Sequence, residues 1–286
     1  MKKMIIRLNK NDVFFKYIKN QCIMNYYNVN YSNIFYKICM KFQLSYISLF
    51  LGEWKRNIRD CYEIILFDNG FQQYIPKYIK KKNKDTKVIL WLWNSINDTN
   101  RNFLKNKYID EFWTFDEKDA LKYSLNYNTQ FYTNEIKLYD SKECKNDIIF
   151  VGKNKKREYI LSEFEKKTEK YNLNNNFIII NNENEFIKYE DYLKMIENSK
   201  AILEIMTPGQ NGLTLRSMEA LFFKKKLITN NLDIVDYDFY DSNNIFILGK
   251  DNIENIKTFI EKTYKEVNQQ IINYYDYKSW INRFDI

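Results

Sequence analysis

An arginine and a glutamate that could hold a nucleotide follow a glycine-containing loop in residues 210–231, QNGLTLRSMEALFFKKKLITNN. The preceding run AILEIM, residues 201–206, predicts a strand, and the loop after it leads into a helix that starts near Thr214. Arg216 and Glu219 are three residues apart and share one face of that helix. A carboxylate there can accept hydrogen bonds from two ribose hydroxyls, and a guanidinium can brace phosphates.

The loop itself has the composition of a phosphate-binding loop. Backbone N–H groups at a helix start point at a bound anion, and a glycine lets the backbone approach it closely. The alternative for Arg216 and Glu219 is an ordinary ion pair on a surface helix. The predicted nucleotide-binding residues of this segment are Gln210, Asn211, Gly212, Leu213, Thr214, Arg216 and Glu219.

A second strand exit carries basic residues in FVGKNKKR, residues 150–157. Gly152 directly follows the apolar run, and Lys153 and Arg157 come at the entry to the next predicted helix. Because ligands of open α/β sheets bind beyond the carboxyl ends of the strands, both cations are expected at the same crevice as the first motif. The alternative is an exposed basic turn, which explains the lysines but not the position of the glycine.

Acidic and amide side chains follow three predicted strands in the first half of the chain. Asp68 and Asn69 follow YEIILFD, Asn94 follows KVILWLW, and Asp116 follows DEFWTF. Each is expected near the ligand end of its sheet. A helix cap or a turn is an equal alternative for each of them, because Asp and Asn are favoured at such positions.

These residues need a scaffold of alternating strands and helices, and the sequence has that pattern in both halves. Near-continuous apolar runs of strand length, separated by helical patterns, predict parallel sheets covered on both faces. The pattern restarts at DIIFVG, residues 147–152, and the segment 138–147 is the expected linker. We therefore predict an α/β protein of two Rossmann-like domains.

Composition sets outer limits on the function. The chain of 286 residues carries a net charge of +8, and the excess belongs to residues 1–146, with 25 Lys and Arg against 15 Asp and Glu. A solvated basic surface and a surface for an anionic partner both explain this. The four cysteines are widely spaced, which suits a reduced protein without a disulfide framework or a zinc site. No apolar run has the length of a membrane span or a signal-peptide core, so a cytoplasmic location is expected.

The segments around 210–231 and 147–157, together with FWTFDEKDALKYSLNYNTQFY and the closing YYDYKSWINRF, resemble small bacterial GT-B glycosyltransferases of capsule and lipopolysaccharide biosynthesis. The resemblance covers residues 60–284, and the first 60 residues match no family. It implies an α/β GT-B fold, in which two Rossmann-like domains face each other across a cleft. The implied domains are an acceptor-binding domain at 1–140, a nucleotide-sugar-binding domain at 147–272 and a helix at 273–286 that crosses back to the first domain.

The resemblance also implies roles. Glu219 would hold the ribose, the loop and Arg216 the phosphates, and Lys153 or Arg157 the diphosphate. Asn69 and Asn94 would line the acceptor side. The resemblance implies a nucleotide-sugar as the donor and a glycan or lipid-linked glycan as the acceptor. It also implies a possible peripheral contact of the enzyme with an anionic membrane, and no nucleic acid is expected as a partner. No metal and no other cofactor is expected, because basic groups and a helix terminus stabilise the leaving diphosphate in such enzymes.

One departure bears on mechanism. Retaining members often carry a glutamate eight positions before the ribose-binding glutamate, and this chain has Asn211 there. We therefore expect inversion, with Asp68 as the first candidate for the catalytic base and Asp116 as the second. The chain has no histidine, which excludes imidazole catalysis and argues against the alternative of a sugar-nucleotide epimerase. A basic module that binds nucleic acid or another anionic surface is the remaining alternative.

Overall fold

The computed structural model describes residues 2–8, 15, 23–27, 33–42, 44–138, 144–154, 157–182 and 187–285. The chain divides into two compact units, with the main boundary between Asn128 and Thr129. Phe15 belongs to the second unit. Residues 139–143 of the expected linker lie outside the described part of the chain.

The first unit is built on a parallel six-stranded sheet in the order β2-β1-β3-β4-β5-β6. The three central strands β1, β3 and β4 run almost without interruption through buried residues, most of them aliphatic, as expected for strands covered on both faces. The strands are β1 (Lys2–Arg7), β2 (Ile23–Tyr26), β3 (Cys61–Phe67), β4 (Lys87–Leu92), β5 (Glu111–Thr114) and β6 (Asn126–Tyr127).

The helices of the first unit are short. They are α1 (Ile34–Lys41), α2 (Ile75–Lys82) and α3 (Glu117–Tyr123), with 3-10 helices at Ser45–Phe50, Glu53–Arg56, Ile58–Asp60 and Arg101–Lys105. Pro76 stands in the first turn of α2, where its missing N–H costs nothing. Trp54 and Ile58 are buried against the sheet and fix the 3-10 helices in place.

The second unit contains a parallel five-stranded sheet in the order β11-β10-β9-β7-β8. Its strands are β7 (Asn146–Lys153), β8 (Asn175–Ile180), β9 (Ser199–Glu204), β10 (Lys226–Thr229) and β11 (Ile245–Ile247). The helices are α4 (Glu158–Glu169), α5 (Tyr189–Glu197), α6 (Leu215–Phe222), α7 (Ile256–Glu261), α8 (Gln269–Tyr275) and α9 (Tyr277–Asn282), with 3-10 helices at Leu232–Asp236, Ile253–Asn255 and Arg283–Asp285.

Both sheets reverse their strand order once, as doubly wound sheets do. The reversal lies between β1 and β3 in the first unit and between β7 and β9 in the second. The prediction of an α/β chain with two Rossmann-like domains, the components of a GT-B fold, is confirmed by these two sheets. Strands β1 and β2 lie in the first 60 residues, where no resemblance was found, and they complete the first sheet.

The run NTQFYT, residues 128–133, predicts a strand from its sequence, but the structure differs there. Strand β6 is only two residues long and ends at Tyr127, and Tyr132 instead forms an isolated parallel bridge with Asp276. The backbone N–H of Tyr132 donates to Tyr275, and that of Tyr277 donates to Tyr132. Asp276 separates α8 from α9 and caps α9 through the N–H of Lys278. The expected single helix at 273–286 is thus two helices.

The C-terminal helices belong to the second unit and pack on this segment. The ring of Trp280 lies 4.2 Å from that of Phe131 and 4.7 Å from that of Phe284. All three side chains are fully buried.

The domain limits 1–140, 147–272 and 273–286 remain predictions. The crossing of the last segment to the first domain is also still a prediction.

Trp280→Ala should lower the free energy of unfolding of the second unit by about 3–5 kcal/mol, because truncating a buried tryptophan leaves a cavity. Urea unfolding followed by fluorescence measures the loss. The highly exposed Leu121→Ala is the control, and it should shift stability by less than about 0.5 kcal/mol. Equal effects of the two variants would contradict the packing described for Trp280.

Candidate functional site

The second sheet opens at its point of reversal. The register between β7 and β9 stops at Ile149 and Ile202, whereas β7 remains paired with β8 as far as Lys153. The carboxyl ends of β7 and β9 therefore part, and this is the position at which open α/β sheets bind ligands. Four charged side chains predicted or found in this unit gather here: Arg157, Glu204, Arg216 and Glu219.

Arg216 fills the opening beside β7. Its Nη2 donates to the carbonyl oxygen of Val151 at 2.5 Å, and its guanidinium lies 5.2 Å from the ring centroid of Phe150. A Cβ on Gly152 would stand 2.5 Å from Nη2, so a side chain there would displace the guanidinium from its present position. The position of Gly152 directly after the apolar run thus has a physical reason.

The expected alternative of a surface ion pair between Arg216 and Glu219 is not formed. Arg216 turns towards β7, and Glu219 is buried in another direction. The Nε atom of Arg216 is buried and has no hydrogen-bond partner among the described residues.

Arg157 brings a second guanidinium to the same place. It precedes α4 and is only 5% exposed, so it is not part of an exposed basic turn. Its Nε atom is buried without a hydrogen-bond partner, and its side chain forms no ion pair within the described part of the chain. Burial lowers the pKa of Arg157, the charge of Arg216 lowers it further, and Glu204 opposes both.

Glu204 is the buried anion that faces these cations. Its Oε1 accepts hydrogen bonds from the hydroxyls of Thr214 and, at 2.7 Å, Ser217. Its Oε2 accepts from Thr229 at 2.5 Å. These bonds join the end of β9 to the start of α6 and the end of β10. Glu204 was not predicted as a site residue.

The loop between β9 and α6 is held by polar contacts of its own backbone. Gly212 has a φ of 71°, a conformation that residues with a side chain seldom adopt, and its carbonyl oxygen accepts from Nδ2 of Asn231 at 3.3 Å. Thr214 caps α6 by accepting from the N–H of Arg216 at 3.1 Å. The predicted start of the helix at Thr214 is therefore correct.

The other predicted residues of the two motifs occupy different environments. The N–H of Gln210 closes a turn on Thr207 at 3.0 Å, and Asn211 is half-buried. The side chain of Leu213 is buried in the core, so only its backbone can meet a ligand. Lys153 is exposed at the end of β7.

Glu219 lies in a network of tyrosines. Its Oε1 accepts from the hydroxyl of Tyr189 at 3.0 Å, and its Oε2 accepts from Tyr192 at 2.8 Å. Tyr189 also shares a short hydrogen bond with Tyr132. Burial raises the pKa of Glu219 to about 7, while hydrogen bonds from the tyrosines and the charge of Arg216 oppose the rise.

In the first unit, Asp68 follows β3 at the point of reversal of that sheet. Its Oδ1 accepts from the N–H of Trp93 at 2.9 Å, and its Oδ2 accepts from Nδ2 of Asn94 at 3.3 Å. Burial raises the pKa of Asp68, and these hydrogen bonds partly offset the rise. Asn69 is exposed beside it in the turn.

Asp116 is a helix cap. Its Oδ1 accepts from the N–H groups of Lys118 and Asp119 at 3.0 and 3.2 Å, and its side chain is fully buried. The capping alternative therefore accounts for one of its oxygens. Its Oδ2 is buried without a hydrogen-bond partner among the described residues.

The sequence reasoning missed Glu204, Tyr189 and Tyr192. A signal existed for Glu204, because a carboxylate inside the apolar run AILEIM must be buried and needs partners. Nothing local marks the tyrosines, which approach Glu219 from another helix. Cys39, Cys61 and Cys144 are free thiols, as expected without a disulfide framework, and Cys22 lies outside the described residues.

The described residues contain no group of three or more acidic, cysteine or histidine side chains placed to hold a metal ion. They also contain no helix that is long and apolar enough to cross a membrane.

Comparison with solved structures finds several chains that resemble this one in fold. A crystal structure described as alpha1,3-fucosyltransferase with GDP matches 98% of this chain and 82% of its own, with a TM-score of 0.45 and 13% identical residues. A likeness of this strength carries no argument about function, and the fold assignment rests on the strand orders. No protein-family profile matches the chain, and no curated protein matches it significantly in sequence.

The pKa of Glu219 predicts a pH-dependent stability. The folded protein keeps this proton up to about pH 7, whereas an unfolded glutamate loses it near about pH 4.3. The folded state binds more protons in this window, so the free energy of unfolding is highest below it and falls as the pH rises through it. Glu219→Gln should remove this fall, which is about 4 kcal/mol at most.

Urea unfolding at a series of pH values measures the difference between the wild type and Glu219→Gln. The exposed Glu165→Gln is the matched control and should follow the wild type. Parallel stability curves for the wild type and Glu219→Gln would show that the carboxyl of Glu219 titrates normally.

Proposed function

We propose that the chain is a glycosyltransferase that moves a sugar from a nucleotide-sugar to a surface-glycan acceptor of the capsule or lipopolysaccharide type. The observation that carries the proposal is Arg157, a buried guanidinium that has no hydrogen-bond or ion-pair partner among the described residues and lies beside Arg216 at the reversal of the second sheet. Burying such a charge unpaired is costly, and a bound anion removes the cost.

A nucleoside diphosphate fits this place better than a single phosphate. Two guanidiniums, the backbone of the loop at Gly212 and the start of α6 offer positive groups from three elements. Glu204 already has three hydroxyl donors, so it balances part of the charge without competing for the ligand. The opening therefore keeps a net attraction for an anion of more than one charge.

The ribose is assigned to Glu219. A carboxylate offers about four lone-pair positions, and the tyrosines Tyr189 and Tyr192 use two of them. Ribose hydroxyls would take the remaining positions or replace a tyrosine hydroxyl. Their donation, together with the negative diphosphate nearby, makes the protonation state of Glu219 part of the donor-binding equilibrium.

The reaction proposed is an inverting transfer without a metal ion or other cofactor. A base removes the proton of the acceptor hydroxyl, its oxygen attacks the anomeric carbon, and the bond from that carbon to the diphosphate breaks. The fixed cations at the second sheet stabilise the charge that develops on the diphosphate. This supplies the leaving-group stabilisation that the mechanism needs.

Asp68 is our first candidate for the base. A raised pKa brings a carboxylate closer to the basicity that proton abstraction needs, and Asp68 has such a shift. Asp116 is the second candidate, with one oxygen engaged at the start of α3 and the other unpartnered within the described residues. Asn94 and Asn69 are proposed to line the acceptor side.

The proposed partners are the nucleotide-sugar and a glycan or lipid-linked glycan, in the cytoplasm and in peripheral contact with the membrane. Neither an epimerase nor a nucleic-acid module is favoured by a contact in the site. The cations at this site are largely buried, whereas nucleic-acid binding uses exposed cations and stacking aromatic side chains.

Arg157→Met should separate ligand binding from structural support. Removing an unpaired buried charge should raise the melting temperature of the free protein by a few degrees, since no partner is left behind. The same variant should bind the nucleotide about ten- to a hundredfold more weakly, because a charged hydrogen bond contributes about 1.5–3 kcal/mol. Differential scanning fluorimetry with UDP, GDP, CMP, dTDP and their common sugar conjugates measures both effects.

The exposed Arg101→Met is the control for Arg157→Met and should change neither quantity. A variant that melts lower than the wild type yet keeps its nucleotide shift would mean that Arg157 supports the fold. If no nucleotide stabilises the wild type, the assignment of the donor site fails.

Asp68→Asn should slow transfer by about 10²- to 10⁴-fold in kcat, the usual contribution of a general base. Its nucleotide-induced thermal shift should stay that of the wild type, because the donor residues lie in the second unit. Asp98→Asn, an exposed carboxylate of the same unit, is the control. Unchanged kcat in Asp68→Asn would remove this residue from the reaction.

A further inference from the structure

Most of the exposed large hydrophobic side chains of the described residues fall within one stretch of the first unit. We call these seven side chains the apolar patch: Ile34, Phe35, Ile38, Phe42, Leu44, Tyr46 and Leu49. Single exposed apolar residues are ordinary, but a contiguous group marks an interaction surface.

Helix α1 is apolar on two sides. Tyr36 and Cys39 are buried and pack with Phe50, which accounts for the inward side. Ile34 and Ile38 stand four residues apart on the outward side, and Phe42 continues their row. A helix that is apolar on both sides needs cover on both, and the described residues cover only one.

The next 3-10 helix, Ser45–Phe50, extends the same surface. Tyr46 and Leu49 are exposed and three residues apart, which places them on one side of a 3-10 helix. The ring of Phe35 lies 6.5 Å from that of Tyr46 and 5.9 Å from that of Phe50. These ring contacts join α1 and the 3-10 helix into one apolar surface.

A cavity of about 350 Å³ adjoins this surface, and we call it the cationic cavity. Its lining includes four basic residues and no acidic one, with Leu49 shared between the cavity and the apolar patch. The residues that matter here are Leu49, Lys55, Arg56, Arg59, Tyr78 and Lys82.

The charges of the cationic cavity are largely available to a ligand. Arg56 pairs with Glu53 at 2.8 Å, but both side chains are well exposed, so the pair is weak. Lys55 donates to the carbonyl oxygen of Ser48 at 3.0 Å, which leaves its charge uncompensated. Arg59 forms no ion pair with any residue that the structure describes.

We propose that the apolar patch and the cationic cavity dock the first unit on an anionic phospholipid bilayer. The patch would enter the boundary between headgroups and acyl chains, and the cavity would receive lipid phosphates. Amphipathic surface helices bind membranes through buried apolar area together with attraction of basic residues to anionic lipids. Lys37 and Lys41 are exposed on α1 and can reach the headgroups along their aliphatic stems.

A nucleic acid fits this surface less well. Its bases need aromatic faces for stacking, whereas Ile34, Ile38 and Leu49 are aliphatic. Phe35 already uses its ring in contacts with neighbouring rings. Aliphatic side chains beside a cavity for phosphate match a lipid, which carries both an acyl chain and a phosphate.

This inference rests on the proposed function in one respect: membrane docking would bring the enzyme to a lipid-linked acceptor. The surface lies in the first unit and includes no residue assigned to the nucleotide or to the base. Vesicle binding and nucleotide binding can therefore fail independently of each other.

Co-sedimentation of the full chain with vesicles tests the proposal, using equal parts of phosphatidylglycerol and phosphatidylcholine against phosphatidylcholine alone. We expect binding to the anionic vesicles that weakens with salt. The pairs Phe42→Ser with Leu49→Ser and Arg56→Gln with Arg59→Gln should each lower the partition coefficient on the order of tenfold. All four residues are exposed, so the variants should melt as the wild type does.

Matched controls change the same chemistry elsewhere. Leu121→Ser with Tyr159→Ser removes exposed apolar side chains, and Lys166→Gln with Lys194→Gln removes exposed charges. Both controls should bind as the wild type does. The proposal is overturned if the wild type does not bind anionic vesicles, or if the patch variants bind as strongly as the controls. Binding to a single-stranded oligonucleotide without binding to vesicles would also overturn it. Vesicle binding without any nucleotide-induced thermal shift would sustain it while the proposed function fails.

Discussion

A buried electrostatic balance at the reversal of the second sheet governs the arrangement of the C-terminal unit. Two guanidiniums, Arg157 and Arg216, meet one fully engaged carboxylate, Glu204, where β7 and β9 part. The carboxylate fixes the start of α6 through Thr214 and Ser217, and α6 in turn carries Arg216 back to β7. Arg216 is thus positioned through the anion that only partly neutralises the two cations. A balance of this kind keeps a net positive charge and favours the binding of an anion.

Glu219 belongs to a different balance, made of hydroxyl groups. Tyr189 and Tyr192 hold its carboxyl in place from α5, and burial brings its pKa near neutrality. The charge of Arg216 on the same helix reduces this rise in pKa. The proton affinity of Glu219 therefore depends on the charge at Arg216, even though the two side chains form no ion pair. A ligand that neutralises Arg216 would change the proton affinity of Glu219. An anion bound at Arg216 would therefore raise the proton affinity of Glu219 through Coulomb interaction along a single helix.

Much of this framework could be predicted from the sequence, and the exceptions have physical reasons. Apolar runs of strand length predicted β3, β4, β7 and β9, and the loop before α6 predicted the helix start at Thr214. Both predictions succeed because strand formation and helix capping depend on local sequence. Glu204 was not predicted because its hydrogen-bond partners lie on α6 and β10. Tyr189 and Tyr192 were not predicted because α5 is far in sequence from Glu219 on α6. The segment 128–133 was misassigned as a strand, since its apolar residues pair with Asp276 and pack on α9 instead. Strand propensity cannot distinguish a sheet partner from a helix that arrives much later in the chain.

That late arrival has a consequence for how the protein forms during translation. The bond from the N–H of Asn134 to Asp276 spans 142 residues, and Trp280 and Phe284 complete the same cluster. A ribosome makes the chain from its N-terminal end, and domains tend to fold as they emerge. The first sheet can form once Tyr127 has left the exit tunnel, but the whole second sheet must be made before Tyr277 and Trp280 can pack on Phe131. We therefore expect the C-terminal cluster to be the last part of the second unit to close.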